Sequence, residues 1–139
     1  MKWQLDDIAK WTQGELVSAN KSAFDAIGTD TRNDLTGKVF IALKGDSYDA
    51  HEYLDQAVEK GAAALIVHRL DPKFAYLKAQ VSIVLVKDTL VALQIFAHHY
   101  RSSLKTQIIG ITGSNGKTTT KEFTAQILSS WKKNALQSR

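Results

Sequence analysis

A glycine-rich segment between two apolar patterns constrains this chain more than any other feature. Residues 107–112 (QIIGIT) have the composition of a buried strand, and residues 117–131 carry apolar side chains at helical spacing. The residues that join the two patterns are Gly113, Ser114, Asn115, Gly116, Lys117, Thr118 and Thr119. A strand, a glycine loop and a helix in direct succession predict an α/β domain with a parallel sheet.

The same segment predicts a phosphate-binding loop. Glycines bring consecutive backbone N–H groups against phosphate oxygens, and the helix N-terminus adds about half a positive charge. Lys117 would pair with the β and γ phosphates, and Thr118 would offer its hydroxyl to Mg²⁺. The spacing is not that of the strict motif, because Ile111 stands where its first glycine would fall. The alternative is a plain strand-to-helix turn, although a Gly-Lys-Thr-Thr sequence at a helix start favours nucleotide binding.

The preceding residues predict another set of alternating strands and helices. The expected strands are residues 38–43, 63–67 and 81–86, and the expected helices are residues 5–12, 52–60 and 89–101. Residues 38–67 therefore form a βαβ unit. Asp88 is a suitable N-cap for the last helix. The expected core face of that helix carries Leu90, Leu93, Ala97 and Tyr100.

Charge is distributed unevenly along the chain. Residues 1–100 hold 11 Lys/Arg against 13 Asp/Glu, whereas residues 101–139 hold 7 Lys/Arg against Glu122 alone. A basic segment around the loop suits an anionic ligand, and acidic partners outside this sequence would explain it equally well. Nucleic-acid binding is the weaker interpretation, since the basic residues are not interleaved with aromatic ones. We expect no nucleic-acid partner.

Composition also limits where the chain works. There are no cysteines, so any chemistry uses oxygen and nitrogen groups. No apolar run approaches the roughly 18 residues that span a bilayer, and the N-terminus lacks the apolar stretch of a signal peptide. We therefore expect a cytoplasmic protein without membrane insertion.

Several segments resemble one family of enzymes. GITGSNGKTTTKE, beginning at residue 110, looks like the ATP loop of the Mur ligases, which build the cell-wall precursor. Folylpolyglutamate synthetases share the loop in a looser form. Residues 29–32 (TDTR), 37–46 (GKVFIALKGD) and 48–51 (YDAH) resemble the UDP-precursor domain of the Mur ligases, which the folate enzymes lack. The resemblance covers essentially the whole chain.

The resemblance implies two sets of site residues. The implied UDP-precursor-binding residues are Thr31, Arg32, Lys44, Gly45, Asp46, Asp49 and His51. The implied ATP-binding residues are those from Gly113 to Thr119, with Lys117 and Thr118 catalytic and Thr118 also a ligand of Mg²⁺. From the residues alone, the first set has simpler interpretations: Arg32 could be an exposed turn arginine, and residues 44–51 a polar loop that caps the next helix.

We expect an α/β chain of two parts. A small UDP-precursor-binding domain would occupy residues 1–84. The first helix, strand, phosphate loop and helix of a parallel-sheet ATP-binding domain would occupy residues 85–139, truncated because such a sheet needs further βα units to cover it.

The resemblance implies an ATP-dependent amide ligase. Segments 86–94 and 118–122 favour the family member that joins D-alanyl-D-alanine to UDP-N-acetylmuramoyl-tripeptide through an acyl phosphate, with ATP and Mg²⁺ as cofactors and a monomeric parent enzyme. This chain alone would be inactive. The member that adds the third amino acid and a non-catalytic binding module stay open as alternatives. A reading frame that continued for several hundred residues would favour the enzyme over the module.

The sequence also predicts the surroundings of two further groups of residues. His98 and His99 are adjacent on a helix and point about 100° apart, so we expect a solvent-facing pair and not a metal site. Phe123, Ile127 and Trp131 recur at helical spacing and are expected in a core.

Overall fold

The computed structural model describes residues 2–21 and 23–137, with side chains up to Trp131. It contains two compact units, Met1–Leu104 and Lys105–Arg139.

The first unit is built around a five-stranded sheet. Its elements in chain order are β1 (Trp3–Gln4), α1 (Leu5–Thr12), β2 (Glu15–Ser18), β3 (Ala23–Phe24), β4 (Ile27–Gly28), β5 (Val39–Ile41), a 3-10 helix (Ala50–Tyr53), α2 (Leu54–Glu59), β6 (Ala64–Val67), a 3-10 helix (Pro72–Ala79), β7 (Ser82–Leu85) and α3 (Thr89–Ser103). The strand order is β2-β7-β6-β5-β4. Strands β4 to β7 pair in parallel, and β2 is the antiparallel edge. Strands β1 and β3 form a separate antiparallel pair.

Both faces of the sheet are covered. Successive side chains of β5 point to opposite faces of the sheet. Val39 and Ile41 therefore belong to one core cluster, together with Ile8 of α1 and Phe96 of α3. Phe40 belongs to the other cluster, in which Leu54 and Ala57 of α2 and Phe74 and Leu77 of the second 3-10 helix cover the opposite face of the sheet. The unit therefore has three layers, helix, sheet and helix, which is why β5 and β6 are apolar without interruption.

Most elements expected from the sequence are present. The strands predicted at residues 38–43, 63–67 and 81–86 contain β5, β6 and β7, and the predicted helix at residues 5–12 is α1. Parallel pairing of β5 with β6 across α2 confirms the βαβ unit. Asp88 caps α3 as predicted, since its carboxylate accepts the backbone N–H groups of Leu90 at 2.7 Å and Val91 at 2.9 Å.

The expected core face of α3 was wrong. The buried residues of this helix are Thr89, Ala92 and Phe96, whereas Leu90 and Tyr100 are 54% and 45% exposed. Leu93 of the predicted face packs against the core, and the exposed Tyr100 ring meets Trp3 edge-on at a centroid distance of 5.9 Å. The small Ala92 allows the helix to approach the sheet, and the Phe96 ring fills the space beside Trp3 at a centroid distance of 4.9 Å.

The second unit consists of an extended segment, a glycine loop and α4 (Lys117–Gln137). The strand predicted at residues 107–112 was wrong, because this segment has no strand assignment and its residues are almost all exposed. A strand needs a hydrogen-bonding neighbour, and residues 105–137 contain no strand to supply one. The prediction that Phe123, Ile127 and Trp131 lie in a core was also wrong, since all three are more than 60% exposed.

Helix α3 belongs structurally to the first unit. Ala92 and Phe96 are part of its core, so the compact body ends at Leu104. The functional boundary near residue 85 stays a prediction. Among the residues that the structure describes, no helix has the length and apolarity needed to cross a membrane.

Candidate functional site

The predicted precursor segments meet at one edge of the sheet. Residues 29–32 follow β4, residues 44–51 follow β5, and His68 and Arg69 follow β6. These three strands are parallel, so their carboxyl ends lie side by side. Open α/β sheets collect ligands at this edge.

A cleft of about 500 Å³ opens there. Its walls are Thr29, Asp30, Thr31, Arg32, Tyr48, Tyr53 and Gln56. Thr31 is largely buried, with 7% of its surface exposed, while the Arg32 side chain is 88% exposed. The structure therefore places two of the predicted precursor residues, Thr31 and Arg32, in one concave site with aromatic neighbours.

Arg32 forms a forked ion pair with Asp30. Its Nε lies 2.9 Å from Asp30 Oδ1, and its terminal nitrogen lies 2.6 Å from Oδ2. Hydrogen bonds from the Arg32 side chain and backbone lower the pKa of the Asp30 carboxyl to about 2. The pair is therefore ionised at neutral pH, and it fixes the guanidinium at the mouth of the cleft.

A tight hairpin forms the opposite wall. Lys44 and Asp49 pair across its base, and the Gly45 N–H donates to the Tyr48 carbonyl at 2.8 Å. The Tyr48 ring stacks on Tyr53, with centroids 5.2 Å apart and planes 12° apart. Lys44, Gly45 and Asp46, three of the predicted precursor residues, lie exposed on this hairpin.

Asp49 at the base of the hairpin and His51 two residues after it were also predicted to bind the precursor. His51 is only 2% exposed, and its Nδ1 lies 2.7 Å from Asp49 Oδ1. Asp49 Oδ2 lies 3.0 Å from the Arg69 guanidinium. In this arrangement the two residues bind each other and the protein, so direct contact with a ligand stays a prediction.

The cleft also contains Tyr48, Tyr53 and Gln56, which were not among the site residues predicted from the sequence. Tyr48 belongs to the segment that carries the family resemblance, which was an available signal. Tyr53 and Gln56 are three residues apart, and three-residue spacing places two side chains on one helix face. Only the folded arrangement shows that this face turns toward residues 29–32.

The glycine loop of the second unit lies directly before a helix and contains two glycines with positive φ. Gly113 and Gly116 have φ of +148° and +76°, values that other residues rarely adopt. Helix α4 begins directly after them at Lys117. The Lys117 ammonium donates to the Gly113 carbonyl at 2.5 Å and lies 3.4 Å from the Ser114 carbonyl. The cation therefore lies over the loop and beside the helix N-terminus, two features that favour phosphate.

The other predicted loop residues are accessible. Ser114, Asn115, Thr118 and Thr119 are exposed. Over residues 2–21 and 23–137 there is no group of three or more His, Cys, Asp or Glu residues that could hold a metal ion.

The adjacent histidines of α3 differ from each other. His98 is exposed as expected. His99 is partly covered, because its ring stacks on Trp11 with centroids 4.3 Å apart and planes 11° apart. The expectation of a solvent-facing pair therefore holds for His98 only.

Comparison with known proteins identifies the family. Residues 23–101 match the Mur ligase family, catalytic domain. This match covers more than half of the chain, so the chain belongs to the Mur ligase family.

Relatives within this family share both sequence and structure with the chain. UDP-N-acetylmuramoyl-tripeptide–D-alanyl-D-alanine ligase of Escherichia coli (strain K12) is 42% identical over 91% of this chain and 26% of its own length. The enzyme of that name from Haemophilus influenzae is 40% identical over 87% of this chain and 25% of its own length.

Solved structures agree with the sequence relatives. The crystal structure of MurF from Acinetobacter baumannii matches with a TM-score of 0.79 and 33% sequence identity. The match covers 93% of this chain and 28% of the Acinetobacter baumannii chain. MurF ligase from Thermotoga maritima in complex with ADP matches with a TM-score of 0.60 and 32% sequence identity. This match covers 70% of this chain and 21% of the Thermotoga maritima chain. The chain thus spans about a quarter of the length of its relatives.

Proposed function

We propose that this chain forms the precursor-binding and phosphate-loop part of an ATP-dependent ligase that joins D-alanyl-D-alanine to UDP-N-acetylmuramoyl-tripeptide. The proposal rests on the occurrence of two features in a single chain of the Mur ligase family. One is a cleft with an arginine and two tyrosines, and the other is a Gly-Lys-Thr-Thr loop at a helix N-terminus. Relatives of that name match almost the whole of it.

The cleft of the first unit suits a uridine diphosphate group. The exposed face of the Tyr48–Tyr53 stack offers an aromatic surface for a base, and Thr31 and Gln56 offer hydrogen-bonding groups beside it. Arg32 supplies positive charge for the diphosphate. Lys44, Gly45 and Asp46 would contact the precursor from the hairpin, while Asp49 and His51 would hold the hairpin in place.

The loop of the second unit suits the ATP phosphates. The residues from Gly113 to Thr119 would bind them through backbone N–H groups, and Lys117 would neutralise charge on the transferred phosphoryl group. Thr118 would hold Mg²⁺, which supplies further positive charge when bound. The Thermotoga maritima relative was solved in complex with ADP, which supports a nucleotide as a ligand.

The reaction is the formation of an amide at the cost of one phosphoanhydride bond. The terminal carboxylate of the tripeptide attacks the γ phosphorus, and ADP leaves. The amine of D-alanyl-D-alanine then attacks the acyl phosphate carbonyl, loses a proton and displaces phosphate. The residues of this chain bind, position and neutralise charge, which are the main sources of catalysis in phosphoryl transfer.

Addition of the third amino acid is the second candidate. Relatives named as ligases of 2,6-diaminopimelate also match, at 35% identity over 75% of this chain for Parabacteroides distasonis and 38% over 73% for Geobacillus kaustophilus. The D-alanyl-D-alanine ligases of Haemophilus influenzae and Escherichia coli match more of the chain, with higher identity. This difference favours the first candidate. A cytoplasmic, monomeric parent enzyme remains part of the proposal.

Lys117→Ala tests the proposed role of the loop. In the intact ligase that carries these residues, loss of this ammonium should lower ligation at least about 100-fold, because charge on the phosphoryl group in the transition state is no longer neutralised. Affinity for UDP-N-acetylmuramoyl-tripeptide should not change, since the cleft belongs to the other unit. Turnover is measured as phosphate release that depends on D-alanyl-D-alanine.

Lys121→Ala is the matched control. This lysine lies one turn further along α4 and pairs with Glu122 at 2.9 Å, so its loss should leave turnover near that of the unchanged enzyme. Near-normal turnover of Lys117→Ala, or equal losses in both variants, would contradict the proposal.

A further inference from the structure

His51 is a buried histidine with both ring nitrogens in use. It lies two residues after the base of the hairpin, yet its side chain is only 2% exposed. Nδ1 lies 2.7 Å from Asp49 Oδ1. Nε2 accepts the backbone N–H of His68 at 3.1 Å. No ring nitrogen is left to contact a ligand in the cleft.

The two partners determine which nitrogen carries the proton. A backbone N–H can only donate, so Nε2 must present its lone pair to His68. The proton of the neutral ring is then on Nδ1, which donates to the Asp49 carboxylate. A protonated ring would have N–H groups on both sides and would lose the bond to His68.

These bonds join the hairpin to a different strand. Asp49 closes the hairpin opposite Lys44, and His68 follows directly after β6. Arg69, the next residue, also reaches Asp49 at 3.0 Å and Glu52 at 2.9 Å. The His51 ring is therefore the buried link between the base of the hairpin and the carboxyl end of the neighbouring strand.

We propose that His51 is a positioning residue for the precursor cleft: it holds the hairpin of residues 44–49 where Tyr48 stacks on Tyr53 and forms the cleft wall. The proposal rests on the function proposed above, with the cleft as the UDP-precursor site. His51 acts on the precursor through Asp49 and Tyr48, without touching it.

Two substitutions separate the two bonds of the ring. His51→Asn retains an N–H near the position of Nδ1 and removes the acceptor for His68, whereas His51→Gln places a carbonyl oxygen near Nε2 and loses the donor to Asp49. Ser82→Ala is the control for stability. It removes a different buried polar group, a hydroxyl bonded to the backbone of Asn20 and Lys21, which lies at the start of β7 and thus at the opposite edge of the sheet.

The first measurement needs no ligand. In the 139-residue chain, long-range proton–nitrogen NMR spectra should show His51 with Nδ1 protonated and Nε2 bare at pH 7. Contacts between the Tyr48 and Tyr53 rings should appear in the unchanged chain and in Ser82→Ala, and disappear in both His51 variants. A protonated Nε2, or ring contacts that persist in folded His51→Asn and His51→Gln, would overturn the proposal.

The second measurement uses UDP-N-acetylmuramoyl-tripeptide in a calorimetric titration. Both His51 variants should bind about tenfold more weakly than the unchanged chain, while Ser82→Ala keeps its affinity at comparable loss of stability. Equal affinity of the variants and the unchanged chain would overturn the positioning role. If the unchanged chain binds no precursor, the proposed function fails, and the ring contacts still decide whether His51 positions the hairpin.

Discussion

The charged residues at the carboxyl edge of the sheet form an exposed pair and a buried network. Arg32 and Asp30 make a forked pair at the surface, in which the arginine side chain is 88% exposed. Asp49 and His51 form the network at the base of the hairpin, with Arg69 at its outer end. The exposed pair is available to a ligand, and the network supports the surface that a ligand would meet.

The buried ring of His51 predicts a dependence of stability on pH. Burial lowers the pKa of this imidazole below 6.5, and His68 and Arg69 act in the same direction, while Asp49 opposes them. The folded chain therefore binds fewer protons than the unfolded chain below about pH 6.5. The stability from the neutral ring is complete above that pH and is lost as pH falls below it toward the lower pKa of the folded state.

Urea unfolding at pH 7.5 and 5.5 measures this effect. The free energy of unfolding of the unchanged chain should fall between the two values, and His51→Gln should show a smaller fall. His98→Gln is the control, because His98 is exposed on α3 and should leave the pH dependence as it was. An equal decrease in the free energy of unfolding in the unchanged chain and in His51→Gln would contradict the assignment of the effect to His51.

The surroundings of these residues follow only in part from the sequence. The clustering of Thr31 and Arg32 with the segment after β5 was predictable, because parallel strands end at a common edge. The burial of His51 was not, since it depends on a backbone N–H that follows another strand. Pairing of Arg32 with Asp30 is local, and its two-residue spacing was visible but not decisive.

The helices and strands that were predicted well have signals within their own residues. Alternating or continuous apolar runs identified β5, β6 and β7, and the side chain of Asp88 identified the start of α3. Residues 107–112 have an equally apolar pattern and form no strand, because strand formation depends on a neighbour that the described part of the second unit lacks. The very short β1, β3 and β4 have too few residues for any pattern.

The cap of α3 supplies a prediction at the scale of an element. Asp88→Ala removes the acceptor of the Leu90 and Val91 N–H groups and should lower the free energy of unfolding by about 1 kcal/mol. Asp88→Asn should retain most of the stability, because asparagine caps helices about as well. Urea denaturation measures both variants, with Lys87→Ala as a neighbouring control. An unchanged midpoint for Asp88→Ala would show that the cap contributes nothing to folding.

At the scale of the whole molecule, the two units differ in how much apolar surface they bury. Val39, Ile66 and Ile83 of the first unit are completely buried. In the second unit, Ile109 and Trp131 are 61% and 77% exposed. Burial of apolar surface has to offset an ordering cost of about 1 to 2 kcal/mol per residue, so the second unit by itself has little to stabilise it.

Amide hydrogen exchange on the 139-residue chain tests this difference. Strands β5, β6 and β7 should be strongly protected, because their opening requires disruption of the sheet. Residues 107–112 and the loop after them should exchange within the earliest time points. Strong protection from Gly113 to Trp131 would show that α4 is stabilised by contacts that the described structure of its unit does not contain.

Calorimetric titration of UDP-N-acetylmuramoyl-tripeptide into the 139-residue chain measures whether the first unit binds the precursor. We predict saturable binding at one site, an affinity about tenfold lower for Arg32→Ala through loss of a charge-assisted contact, and unchanged affinity for Lys10→Ala on α1. Absence of binding to the folded chain, or equal affinities for Arg32→Ala and the unchanged chain, would contradict the account.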